Sequence, residues 1–121
     1  MKGTIDSDLV PRLDEIYVVS KDGPIMIDTV LDTGFNDEFC LPRQYHSACD
    51  LVFYGTDKYT LANGQDVLEP LYRGEIIIDN QVIKVVMSLT DDDEALLGTR
   101  LLNGKIVTLD FINYRITENP A

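Results

Sequence analysis

Apolar positions in this chain gather in short runs, each closed by a turn signal. Leu13 to Val19 (LDEIYVV) is apolar and β-branched and reads as a strand. Lys21-Asp22-Gly23-Pro24 follows as a turn, its Asp-Gly pair supplying a left-handed position. Ile25 to Leu31 (IMIDTVL) returns as the second arm of a hairpin. Phe39 to Leu41 is a short apolar piece stopped by Pro42, and Arg43 to Asp50 reads as a short helix with Pro42 near its first position. Lys58 to Leu61 leads into Ala62-Asn63-Gly64-Gln65, where Asn-Gly is the strongest short-range hairpin signal. The return arm runs from Asp66 to Ile78, with Pro70 marking an edge or a break. Ile76 to Ile78, Asp79-Asn80 and Val82 to Leu89 make another hairpin. Thr90 to Glu94 is an acidic loop, and Ala95 to Leu97 is a buried strand that ends at Gly98. Thr99 to Leu102 reads as one or two helical turns stopped by Asn103-Gly104. Ile106 to Phe111 alternates as a strand, and Tyr114 to Thr117 adds a last short one. Turn signals every eight to twelve residues or so predict an all-β barrel or sandwich with one or two short helices.

A chain of 121 residues predicts a single domain, 1–121, large enough to hide roughly two-thirds of its unfolded surface. Charge narrows its partners. Twenty-one acids face 10 bases, a formal charge of -11, and no cluster of cations exists to displace counterions from phosphates. Nucleic acid and anionic membrane surfaces are therefore not expected partners. No apolar run approaches the ~18 residues of a spanning helix. The opening MKGTIDSDLVPR lacks a signal-like apolar stretch, so a cytoplasmic protein is expected, unless a leader preceded it. Cys40 and Cys49 allow a disulfide, but buried free thiols are the expectation.

One residue breaks the pattern. Val30 and Leu31 read as core strand, yet Asp32 follows at once, then Thr33 and Gly34. An ionised carboxylate is costly to desolvate without a partner. Either the chain has already turned to solvent there, with Asp32 capping a turn amide, or Asp32 is held half-buried for chemistry. Other candidate chemistry is thin. His46 is the sole histidine and reads as a surface or packing residue; with two cysteines it makes a poor zinc set. Asp91-Asp92-Asp93-Glu94 lacks the alternation and central glycine of a calcium loop and reads as solvated. No cofactor and no metal are expected.

Leu31-Asp32-Thr33-Gly34, some sixty residues before Leu96-Leu97-Gly98, with Leu101-Leu102 and the strand Ile106 to Phe111 after it, resembles the retropepsins. These are the single-lobe aspartic proteases related to the retroviral enzymes. Asp-Thr-Gly-Phe-Asn with a following Leu-Pro, the opening Met1-Lys2-Gly3 and Pro11 are most similar to the small bacterial members. The resemblance implies a retropepsin-like acid protease barrel and a homodimeric endopeptidase acting on an extended peptide. Asp32 would be catalytic, with Thr33 and Gly34 supporting its loop. Phe35, Leu97 and Gly98 would wall the pocket, and Ala62, Asn63 and Gly64 would form the flap tip. Chain ends, Met1 to Val10 and Tyr114 to Ala121, would interleave at the interface.

The chemistry explains the dimer. Metal-free peptide hydrolysis needs a water made nucleophilic and a carbonyl oxygen protonated. Two carboxylates a few Å apart do both, sharing one proton because like charges so close cannot both ionise. Asp-Thr-Gly occurs once, so the second carboxylate must come from another copy. Three features depart from the retroviral pattern: Thr99 rather than arginine follows Gly98, Phe35 is bulky, and the flap tip has a single glycine. Two rival readings remain: a retropepsin-fold module that binds peptide or dimerises without cleaving, and a plain β domain with Asp32 as a turn residue.

Overall fold

Strands take up most of the chain in the computed structural model, which describes residues 1–119. They are β1 (Lys2–Ile5), β2 (Pro11–Leu13), β3 (Tyr17–Ser20), β4 (Gly23–Met26), β5 (Thr29–Leu31) and β6 (Phe39–Pro42). There follow β7 (Val52–Thr60), β8 (Asp66–Ile78), β9 (Gln81–Thr90), β10 (Ala95–Leu97), β11 (Ile106–Asp110) and β12 (Arg115–Asn119). Two single-turn 3-10 helices, Arg43–Tyr45 and Thr99–Leu102, complete the elements. All strands join one curled sheet in the order β11-β12-β1-β2-β5-β10-β6-β9-β8-β3-β4, with β7 added on β8.

The buried centre explains the longest apolar runs. β6 lies between β10 and β9 and is buried at every position, so both its faces must be apolar. Phe39 and Leu41 have no exposed surface, each gaining ~1.5–3 kcal/mol by burial. Leu31, Met87, Ala95 and Leu97 join the same cluster. Cys40 and Cys49 are both buried free thiols. Burial pushes both thiols above the ordinary cysteine range, which keeps them unreactive.

Turn chemistry worked as the residues imply. At Asp79-Asn80 both residues have positive φ, 52° and 61°, the pattern of a type I′ hairpin joining β8 to β9. Gly23 (φ 115°) closes the two-residue turn between β3 and β4. Pro70 lies in the part of β8 that pairs with β7 alone, where a missing N–H costs no second ladder.

Two long strands expected from the sequence are broken. Leu13 to Val19 divides into β2 and β3, and the break carries Glu15 at φ 54°. β2 pairs with β1 and β5, whereas β3 pairs with β4 and β8, so the chain must cross between two regions of the sheet. Ile25 to Leu31 divides into β4 and β5 for the same reason. The expected helix at Arg43 to Asp50 is one 3-10 turn followed by further turns. Pro42 offers no side-chain cap, and the Tyr45 carbonyl is shared by the Ala48 and Cys49 amides. His46 packs edge-on against Tyr72, with ring centroids 5.0 Å apart.

β1 was not foreseen. It pairs with both β12 and β2, and β12 pairs with β11 as well, so neither terminal strand leaves a free edge. Pro120 and Ala121, the last positions of the stretch expected to interleave with a partner, lie outside the described residues.

Candidate active site

β5 and β10 run parallel, with Leu31 beside Leu97. Chain therefore leaves both strands at one end of the sheet, and the two departing loops are bolted together. The Asp32 amide donates to the Leu97 carbonyl at 3.0 Å, and the Phe35 amide donates back to the Asp32 carbonyl at 3.2 Å. Gly98 N–H donates to the Glu38 carbonyl, and Thr99 N–H to the Phe35 carbonyl, each at 2.9 Å. Asp32 is half-buried, and its Oδ1 accepts the Gly34 amide at 2.9 Å.

Gly98 is irreplaceable by geometry. A Cβ there would stand 2.0 Å from the Asp37 carbonyl oxygen and 2.7 Å from Cδ2 of Phe35. Only a residue without a side chain lets the loop of Asp32 lie on that strand end. Phe35 is half-buried, Thr33 and Gly34 are exposed, and Leu97 is fully buried. Asp32, Thr33, Gly34, Phe35, Leu97 and Gly98 thus form one unit.

Ala62, Asn63 and Gly64 stand apart at the tip of the β7–β8 ribbon and share no hydrogen bond with that unit among the described residues. Asn63 Oδ1 accepts the Gln65 amide at 2.9 Å, and Gly64 takes φ 84°. A cavity of about 210 Å³ opens between the ribbon's base and the loop, bounded by Asp37, Glu38, Tyr54, Leu71 and Arg100. Arg100 is exposed and makes no ion pair among the described residues. A larger concavity of about 690 Å³ touches the loop only at Glu38 and does not reach Asp32.

Sequence reasoning missed Glu38. Its Oε1 accepts the Val86 amide at 2.7 Å and so fastens the loop to β9 where parallel pairing with β6 begins. An acid just before a buried run was a visible signal, but its amide partner lies 48 positions away. No group of three His, Cys, Asp or Glu side chains among the described residues is placed to hold a metal ion. No helix among them is long and apolar enough to cross a membrane.

No protein-family model matches the sequence, and no curated protein matches it. Solved structures do match the fold. A retropepsin-like aspartic protease from Rickettsia conorii superposes with a TM-score of 0.64, covering 98% of this chain and 89% of its own, at 20% identity. EIAV protease, solved with the inhibitor HBY-793, gives 0.56 over 82% of this chain and 90% of its own, at 22% identity. Simian foamy virus (mac) protease gives 0.56 over 72% and 89%, at 14% identity. The chain has the fold of the retropepsin-like aspartic proteases.

Proposed function

We propose that two copies of this chain form an aspartic endopeptidase, with Asp32 of each supplying one carboxylate of the catalytic pair. The observation that carries this reading is the half-buried Asp32 on a loop braced by Leu97, Gly34 and the close approach of Gly98. In the pair, the ionised carboxylate takes a proton from water as the oxygen attacks the peptide carbonyl carbon. The protonated partner gives its hydrogen to the carbonyl oxygen. Collapse of the tetrahedral diol returns a proton to the leaving nitrogen and breaks the C–N bond. Thr33 and Gly34 hold the loop, Phe35, Leu97 and Gly98 shape the pocket floor, and the ribbon bearing Ala62, Asn63 and Gly64 is the flap over an extended peptide.

Strand directions support a partner at this end of the molecule. β2 runs antiparallel to β5, β1 to β2, β12 to β1 and β11 to β12. The Asp6–Val10 loop and the 111–114 turn therefore lie at the same end of the sheet as Asp32. Their tips carry Leu9 (58% exposed), Ile112 (86%) and Tyr114 (51%), an apolar set in a chain of charge -11. Because β1 and β12 already have neighbours on both sides, the partner meets these tips rather than interleaved ends. Ile112→Glu should yield a folded monomer by sedimentation, with cleavage lost.

Asp32→Asn is the decisive test. Asparagine keeps an oxygen for the Gly34 amide, so a plain turn residue would tolerate the change. The expected result is loss of peptide-library cleavage by about 10³-fold or more between pH 4 and 7, with the dimer retained. Wild-type protein that binds peptide but cleaves nothing, and is matched by Asp32→Asn, would make this a binding module.

A further inference from the structure

The β7–β8 ribbon carries, on the side that faces the body, an acid that forms no ion pair among the described residues. Along β8, Val67, Glu69 and Leu71 are half-buried, whereas Asp66, Leu68 and Pro70 are exposed. Period-two alternation thus makes Val67, Glu69 and Leu71 the inner face. Register places Asp57 directly opposite Glu69, so the two carboxylates project from the same face. Asp37, in the loop that follows Phe35, adds a third negative charge from the body. Arg43 is the cation that acts on Glu69, and it already donates to Asp91 at 2.9 Å. The buried Cys40 thiol of β6 is neutral and feels the Glu69 charge as a further repulsion. Lys58 belongs to the other face of the ribbon and pairs with Asp66 there.

The ribbon is poorly held otherwise. Residues 66 to 71 of β8 pair only with β7, and β7 pairs with nothing else. A two-stranded ribbon is marginal in water. Small changes in its inner face therefore decide whether it seats on the body.

We propose that seating of the β7–β8 ribbon takes up a proton on Glu69, so that the lid closes more firmly as the medium becomes acid. The inference rests on the reading of this ribbon as the lid of the active site. Glu69 acts through the ribbon's position and is a positioning residue. Its carboxyl stands above the usual glutamate range, first through burial and then through Asp57 and Asp37, with Arg43 opposing. A group that holds its proton more tightly in the seated state than in the lifted one makes seating favourable at low pH. That advantage fades as pH rises through the raised value.

Amide hydrogen exchange tests this in the full chain, in an Asp32→Asn background that prevents self-digestion. Protection of the ribbon amides, corrected for intrinsic exchange, should fall by about two- to fivefold from pH 4.5 to 7.5. Glu69→Gln should flatten that profile, and Asp57→Asn should reduce its slope. A flat parent profile, or an unchanged slope in Glu69→Gln, overturns the proposal. In the Asp32-intact protein, Glu69→Gln should flatten KM against pH and leave the kcat profile unmoved. Absence of cleavage at every pH would sink the protease reading, while hydrogen exchange would still decide the latch.

Discussion

The loop of Asp32 and the tip of the β7–β8 ribbon both turn on a glycine, yet the two glycines sit in opposite surroundings. Gly98 has backbone and an aromatic ring within 3 Å of where a Cβ would stand, whereas Gly64 has nothing within 4 Å. The loop is over-determined: strand ends, four backbone hydrogen bonds, two amide-to-carboxylate bonds and a close approach all fix it. The ribbon is held by one ladder and its own turn. A site that must hold a carboxylate to within fractions of an ångström needs the first kind of structure. The lid proposed for the ribbon, which would admit a chain and then cover it, needs the second. Rigidity and mobility are thus set by how many independent constraints converge on each segment.

The sharpest way to break that contrast is to put the same methyl group in both places. Gly98→Ala should cost ~3 kcal/mol, the upper part of the overpacking range, because neither the Asp37 nor the Phe35 carbonyl can move freely. Gly64→Ala should cost ~1 kcal/mol, from the positive φ alone. Urea unfolding of the two variants measures both. Equal costs would mean that the loop of Asp32 relaxes as readily as the ribbon.

A smaller effect sharpens the same comparison. Glu38→Ala removes the acceptor of the Val86 amide and should cost ~2 kcal/mol, as expected for a hydrogen bond to a charged group. Thr60→Ala in the ribbon removes an exposed hydroxyl bonded to Asp66 at 2.8 Å and should cost ~0.5 kcal/mol or less. The ratio of the two, read from unfolding midpoints, reports how unevenly the fold distributes its constraints.

What the sequence disclosed follows the same division. Hairpins with local turn chemistry were legible: Asp79-Asn80, Asn63-Gly64 and the full extent of β8 from Asp66 to Ile78. So was the short buried strand ending at Gly98. Features fixed by distant partners were not. β1 is a four-residue strand, KGTI, too short and too poor in apolar residues to stand out as one, and its place is fixed by its neighbours β12 and β2. The break at Asp14-Glu15 arises because the two halves pair in different regions of the sheet, which no local pattern records. The first half of β7 shows no apolar alternation because it is exposed on both faces and bulged between Phe53 and Gly55. At the candidate site, the half-buried place of Asp32 after a core strand was legible, whereas the Glu38 anchor and the inner-face Glu69 were not. Both depend on register between segments tens of residues apart.

Acid titration supplies the finest test, because the terminal strands and the ribbon should respond with opposite sign. Asp6, in the loop between β1 and β2, has its carboxyl held below the usual range, first by the Val10 amide and then by Arg12. Arg12 also reaches Glu94 at 3.1 Å, so this cluster ties the terminal strands to the start of β10. Asp110 is lowered likewise, by the Asn113 amide, the Asn113 side chain and the Ile112 amide. A depressed carboxyl contributes stability that is present above its unfolded value and lost as pH falls through its folded value. Glu69 works the other way, since its raised value favours the seated ribbon as pH falls. As pH falls from about 7 toward the ordinary glutamate value of about 4.3, ribbon exchange should therefore become slower, and below the ordinary aspartate value of about 3.9 global unfolding should become easier. Asp6→Asn should make the acid loss of global stability shallower and leave the ribbon's exchange profile untouched. If acid loosened the terminal strands and the ribbon together, the ribbon would belong to the same cooperative unit as those strands rather than opening on its own.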